Sequence, residues 1–360
     1  MNKTKISHKQ LMALAFVSII SPIIRVIPET ALYYGEEAAW VSPFVAAVPI
    51  LLLYGVIRLL TKKRNEGQGL THIILRAFGP WFGRLIAVVF ALWLTFYLGF
   101  VQRMAAERLV SYLYNDDKWV IFALVMLITG CIVASGNISS LTRTAQIFVP
   151  VIIGMIVAVS LLLIPDVKIE NLLPITYSHI PDALRASVSM ISMVSIFAYF
   201  TFLLGHTRKQ EKEKSGIGYI IVLLLIVFLV IAETIGVMSV NVAKNMQSAF
   251  LITIRNITFL NILERIEAIV IAMWVISDFV YAAAMLTIIS DIAKVAVNGQ
   301  KRTWWVWTAA TFALVISVVL GRSYFGVEQD IGVYIPMINL LFTLVVIPGV
   351  LLVAKIRKVL

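Results

Sequence analysis

The feature that most constrains this chain is a succession of apolar stretches, each long enough to cross a bilayer. A transmembrane helix needs about 20 mainly apolar residues to span a hydrocarbon core of about 30 Å. Ten stretches meet that test, at 11–31, 41–60, 83–111, 119–136, 145–165, 185–205, 217–240, 266–290, 304–321 and 333–354. In a chain of 360 residues they leave only short connections, none able to fold as a catalytic domain. Composition agrees: 61% of residues are hydrophobic and 14% charged, against about 45–50% and about 25% in soluble domains. An ordinary soluble enzyme, a disordered chain and a nucleic-acid binder with a basic face are excluded. The first stretch follows Lys3, Lys5 and Lys9, as the apolar part of a signal peptide does. It carries Pro22, Arg25 and Pro28, lacks a small-residue cleavage site and precedes nine more stretches, so it is expected to be retained.

The formal net charge of +11 reads as a topology signal. With the amino terminus in the cytoplasm, 20 of the 30 Lys and Arg fall on the inner side, nine on the outer side, and Arg25 within a span. Every long inner connection then obeys the positive-inside rule. Removing one span would scramble that alternation. The count therefore predicts an all-α integral membrane protein with ten transmembrane helices and both termini cytoplasmic. Residues 1–360 are expected to form a single polytopic domain in contact with the lipid bilayer. Trp304, Trp305 and Trp307 beside Lys301 and Arg302 form an interfacial belt. The stretch Glu66–Trp81 is too short and polar to span, and reads as an amphipathic helix on the inner surface or as a loop. Residues 247–262 on the outer side read as re-entrant or interfacial, with a loop as the alternative.

Motifs for chemistry are missing. No phosphate-binding glycine loop followed by Lys and Ser/Thr occurs, and neither does a nucleophile elbow. His8, His72, His179 and His206 are scattered without metal-ligand spacing, and Cys131 is the single cysteine. No catalytic residue, metal or cofactor is expected; binding and conformational change are.

Ionisable residues inside spans cost about 2.5–3.5 kcal/mol each on insertion scales, so each needs a partner or a wet cavity. Arg25 in the first span, Glu233 in the seventh and Asp278 in the eighth are such residues. Arg25 is expected to pair with Asp278 or Glu233, to hold a substrate carboxylate while an acid holds an amine, or to snorkel outward. Pro22 and Pro28 flank it and predict a kinked or unwound helix, which in transporters is where substrates bind. In the sixth span Ser189, Ser192, Ser195 and Tyr199 share one face, and either pack closely against another helix or line a site. In the third span Tyr97 lies near mid-membrane, with Arg103, Glu107 and Arg108 beyond it as structural or gating charges.

Five spans reverse the chain direction, so two five-span halves would be antiparallel. At this point the residues resemble a family. The opening KISHKQLMALAFVS, the AAWVSPFVA entering the second span, Tyr97 with Arg103 and Glu107, and Asn261–Val280 (NILERIEAIVIAMWVISDFV) are similar to the B subunit of endospore germinant receptors. That family is part of the amino acid–polyamine–organocation superfamily. The resemblance implies a permease-like 5+5 inverted repeat, with repeats at about 9–166 and 183–356. It implies a nutrient sensor, often for amino acids, in the inner membrane of the spore, with an A subunit and a lipoprotein C subunit as partners. Carried over by position, Ser21, Pro22 and Ile23 would offer backbone groups to a carboxylate and Tyr97 would cap the pocket. Ser192 and Ser195 would line it, and Trp274 with Asp278 would close it. Where the family usually shows glycine in the first span, this chain has Ser21–Pro22 and then Arg25; its sixth span has no obvious glycine or proline break. Arg25 implies a more anionic ligand, or a fixed positive charge in place of a coupling cation. Two functions follow: a receptor subunit that senses a small-molecule germinant, or a proton-coupled or facilitative amino-acid permease. A purely structural scaffold gives three intramembrane charges little reason to exist.

Overall fold

In a bilayer every backbone N–H and C=O must find its partner within the protein, so apolar stretches of this length fold as helices. The computed structural model describes residues 5–62, 64–113, 118–173, 176–208, 216–246, 248–255, 266–297, 301–320 and 334–359. Its regular structure there is helical apart from one isolated bridge between Ile6 and Thr207. Helix α1 (His8–Gly35) opens on a capping box, in which Ser7 and Gln10 each satisfy the other's backbone N–H. A 3₁₀ turn (Glu36–Val41) leads into α2 (Ser42–Thr61), followed by α3 (Leu70–Leu113), α4 (Trp119–Ser135) and α5 (Ile138–Leu163). Helix α6 (Ile180–Val194) passes directly into a 3₁₀ helix, Ser195–His206. Then come α7 (Ile217–Met238), the short α8 (Val240–Ala243) and α9 (Ala249–Arg255), α10 (Ile266–Val297) and α11 (Arg302–Val319). The last region is α12 (Tyr334–Leu340), a π-helical stretch (Leu341–Val346) and α13 (Ile347–Ile356).

Among the described residues, eight helical stretches are long and apolar enough to cross a membrane. The first of them, His8–Leu59, contains both α1 and α2, and α4, at 17 residues, is shorter than a full span. The protein is a multi-pass membrane protein. Its outward side chains include Leu52, Leu85, Leu92, Ile147 and Val319, an apolar surface suited to lipid. The interior is built around α1, which buries residues on all its faces against α5, α6, α7 and α10. Helix α10 packs in turn on α3, α4 and α11.

Polar contacts gather at two ends. At one, Lys5 pairs with Glu66, Arg64 bonds Thr207, His206 meets Asp291 at 2.6 Å, and Arg357 donates to the Ala77 carbonyl at 2.7 Å. At the other, Arg108 pairs with Glu29 at 3.3 Å, Lys244 with Glu36 at 3.3 Å, and the Arg103 guanidinium lies 3.4 Å from the Trp119 ring centre. The residues that the charge pattern sorts into two sets thus gather at opposite ends, named inner and outer after that pattern.

The structure sharpens the first of three regions and changes the other two. The Glu66–Trp81 stretch is helical from Leu70, burying Leu70, Ile73, Ile74 and Ala77 while exposing His72 and Arg76. It continues into the third span across a kink at Gly79 (φ 81°), which a residue with a Cβ would resist. A Cβ on Gly69 would collide with the Phe202 carbonyl, so glycine is what lets this helix seat against the 3₁₀ segment. Helix α1 is not unwound at Pro22 or Pro28; Ser21, Pro22 and Ile23 lie inside a continuous helix. The change of winding occurs instead in the sixth span, at Ser195, without glycine or proline. Within 247–262, α9 is a buried helix at the outer end, and residues 256–262 lie outside the described residues, as do Asn261, Glu264 and Arg265 of the family-like stretch.

Candidate functional site between α1, α3 and α10

A carboxylate and a guanidinium decide where the site lies. Arg25 is 7% exposed and Asp278 is 1% exposed. Arg25 Nη2 lies 2.7 Å from Asp278 Oδ1. The same oxygen accepts from Ser21 Oγ at 2.9 Å, and Arg25 Nε donates to the Ser21 carbonyl at 3.3 Å. Helical spacing explains this: Ser21 and Arg25 are one turn apart on α1, so both present to the same point on α10. Ser277, next to Asp278, donates to the Val17 carbonyl, one turn further along α1. A low-dielectric interior makes the charge pair strong, and its hydrogen bonds offset the cost of removing both ions from water.

Arg25 and Asp278 face a small cavity completed by Ala105 and Leu109 of α3 and by Ile271, Trp274 and Val275 of α10. Its volume is about 10 Å³, the space open to the centre of a water molecule, enough for about one water. The Glu29–Arg108 pair sits one helical turn beyond Arg25 and Ala105 along α1 and α3. Glu29 also accepts from the Ser248 backbone N–H, which ties this pair to α9. Toward the inner end, the His206–Asp291 contact and the pairing of Asp291 with Arg302 at 3.3 Å join the 3₁₀ segment, α10 and α11.

The expected site residues divide. Ser21, Arg25, Trp274 and Asp278 are together at or beside the cavity. Pro22 and Ile23 are buried in α1 and offer no broken backbone. Tyr97 is buried 5.8 Å from the Trp93 ring, deeper than the cavity. Ser192 and Ser195 are engaged with the last span: Ser192 Oγ donates to the Pro336 carbonyl at 3.1 Å, and Ser195 meets Thr343 Oγ1 at 2.8 Å. Their stripe partner Tyr199 donates to Asn339 Oδ1 at 2.6 Å and accepts from Trp93 Nε1 at 3.0 Å. Glu233 is buried on α7 facing Ser160, apart from the Arg25–Asp278 pair. Among the described residues no group of three or more His, Cys, Asp or Glu is placed to hold a metal.

Sequence reasoning missed Gln102, Tyr281, Asn339 and Trp93. Gln102 and Asn339 are neutral polar residues in apolar spans, a weaker signal than a charge. Both are fully buried, and so is Tyr281. Position relative to the cavity carries the signal for Gln102, which shares a helical face with Ala105 and Leu109.

Residues 5–325 match the family model described as spore germination protein. The chain belongs to the spore germination protein family. One relative, spore germination protein A2 of Bacillus subtilis, is 21% identical over 285 residues, covering 78% of this chain and 75% of that protein. Two solved structures share the fold. A Na+-coupled sialic acid symporter in a substrate-bound, outward-open state superposes with TM-score 0.68 at 11% identity, over 98% of this chain and 79% of that one. MhsT in complex with L-phenylalanine superposes with TM-score 0.65 at 13% identity, over 99% of this chain and 90% of that one. The fold is therefore an all-α, multi-span membrane fold related to the LeuT-like 5+5 inverted-repeat transporters. The matching family is one of permeases rather than enzymes.

Proposed function

We propose that this family member is an amino-acid permease of the proton-coupled or facilitative kind, serving spore germination. One observation carries the reading: a buried Arg25–Asp278 pair facing a small cavity within a transporter-like fold. A zwitterion has the complementary charges, its carboxylate suited to the Arg25 fork and its ammonium to Asp278. At about 10 Å³ the cavity does not admit an amino acid as it stands. Binding requires the helices around it to part toward one side, and movement across the membrane requires them to part toward the other afterwards. With no ligand, Arg25 serves as a fixed positive charge against Asp278 where a coupled symporter would need a mobile cation.

The topology that goes with this reading has ten spans and both termini cytoplasmic, in one polytopic domain with repeats at about 9–166 and 183–356. Positive-inside charge and the segregation of contacts into two ends support it. A second reading, favoured by the family match, is a germinant-sensing subunit in the inner spore membrane, working with an A subunit and a lipoprotein C subunit. The two part on turnover. Proteoliposomes holding the purified chain are expected to take up labelled amino acids with saturable kinetics. Saturable binding without flux would move the conclusion to the sensor, and neither binding nor flux across all twenty amino acids would end both.

A further inference from the structure

Three buried side chains, one lining the cavity and two further along the same helix faces, hold hydrogen-bonding atoms with no partner among the described residues. They are both amide atoms of Gln102, Nε1 of Trp274 and the hydroxyl of Tyr281. Gln102 and Tyr281 are 0% exposed and Trp274 is 5% exposed. Buried polar groups are nearly always paired, and one left unpaired costs the full penalty of its desolvation. Three together need a reason.

Their placement supplies one. On α10, Trp274 lines the cavity, and Asp278 and Tyr281 follow it on the same face by steps of four and three residues. Tyr281 is near enough to Asp278 to interact electrostatically with it. On α3, Gln102, Ala105 and Leu109 occupy one face by steps of three and four, and the last two line the cavity. The two helices pack against each other and run in opposite directions: the inner end of α3 meets Arg357 and its outer end Glu29, while α10 ends at Asp291 in the inner cluster. Gln102 therefore lies one turn inward of Ala105, at the level where α10 presents Asp278 and Tyr281. Trp274 meets the cavity one turn outward of Asp278, and Gln102 and Tyr281 lie inward of it, so the unspent donors and acceptors form a wall along the α3–α10 interface on either side of the charge pair.

We propose that Gln102, Trp274 and Tyr281 set the specificity of this site, and that it selects amino acids with neutral, hydrogen-bonding side chains over aliphatic ones of the same shape. The proposal rests on the amino-acid reading above. The charge pair is fully engaged by the zwitterion's ends, so it does not distinguish one side chain from another. Gln102 offers a donor pair and an acceptor, Tyr281 a hydroxyl that does either, and Trp274 a donor. A carboxamide or hydroxyl satisfies them. A methyl group of the same size leaves them unpaired, and a site built to hydrogen-bond rejects the analogue that lacks the group. The wall carries no charge of its own, which disfavours acidic and basic side chains.

Isosteric ligand pairs test this directly. Equilibrium binding of labelled L-asparagine and L-threonine to the purified full chain in nanodiscs is competed with their isosteres L-leucine and L-valine. The wild-type chain is expected to favour asparagine over leucine, and threonine over valine, by about 10- to 100-fold. Gln102→Leu and Tyr281→Phe are each expected to cut that ratio by about 10-fold. Folding is checked on the ligand-free variants: Gln102→Leu removes two unpaired buried atoms, and its melting temperature is expected to match or exceed that of the wild type. Equal affinity for the isosteres, or variants that keep the wild-type ratio, would overturn the specificity assignment while leaving amino-acid binding standing. Absence of binding by any amino acid would remove the reading beneath it, and this assignment with it.

Discussion

The first and sixth spans invert what local sequence leads one to expect. Helix α1 carries Pro22 and Pro28, each of which removes a backbone donor and crowds the preceding turn, yet it is helical without interruption from His8 to Gly35. The sixth span has no proline or glycine between Ala183 and Leu204, yet it changes from α to 3₁₀ at Ser195 and keeps that winding for 12 residues. Runs of 3₁₀ helix longer than about four residues are uncommon. In α1, the helix is instead held by burial on all its faces against α5, α6, α7 and α10. In the sixth span, hydrogen bonds to the last span hold the tighter winding. Asn339 donates to the Ser192 carbonyl at 2.6 Å and accepts from Tyr199, and Thr343 meets Ser195. Directly opposite, Leu341–Val346 is wound more loosely, as π-helix. Winding in this protein is set between spans rather than by breaker residues within them.

The comparison can be broken most severely at the charge pair that anchors α1. Arg25→Ala and Asp278→Ala each leave an uncompensated buried charge and are expected to destabilise by about 3–5 kcal/mol, read as a loss in denaturant midpoint. The double change Arg25→Met with Asp278→Leu removes both charges and is expected to stay within about 1 kcal/mol of the wild type or to exceed it. A double variant as unstable as the singles would show that the pair is not the reason.

Next in size is the bond between the sixth and last spans. Asn339→Leu strips the Tyr199 hydroxyl and the Ser192 carbonyl of a partner and is expected to cost about 2–3 kcal/mol. Hydrogen exchange along Ser195–His206 should accelerate in the same variant; unchanged protection would mean that local sequence holds the 3₁₀ winding after all. Gly69→Ala pushes a methyl group against the Phe202 carbonyl and is expected to cost about 1–3 kcal/mol, measured by thermal melting. Smallest of all is Pro22→Ala. Because α1 is already continuous there, melting is expected to shift by less than about 1 kcal/mol equivalent or to rise. A large loss would mean that Pro22 shapes the helix in a way its regular course conceals.

Charge was the legible part of this molecule. Arg25 and Asp278 stood out because ionisable side chains inside apolar spans need partners, and the structure pairs them. The alternation of basic connections sorted the loops into two groups that the structure gathers at opposite ends. Glu233 was equally visible as an intramembrane acid, but no periodicity says which neighbouring helix it faces; it faces Ser160 of α5. The serine stripe of the sixth span was visible as a polar face, and its partner was not, because Asn339 and Thr343 lie almost 150 residues away in sequence. The 3₁₀ and π windings left no trace at all: they depend on hydrogen bonds across the interface, and Pro22 and Pro28 drew attention to the wrong helix. Gln102 and Tyr281 are ordinary residues in an apolar span until the cavity beside them is known.

Ligand binding by the charge pair is tested most directly with the variant that keeps the fold while losing both charges. Equilibrium binding of the twenty labelled amino acids to nanodisc-held wild-type protein is compared with binding to Arg25→Met/Asp278→Leu, its melting checked in parallel. Saturable binding of at least one amino acid to the wild type, lost in a double variant that melts like it, is the expected result. A folded double variant that binds the same amino acid with wild-type affinity would contradict the assignment of Arg25 and Asp278 as the ligand's anchors.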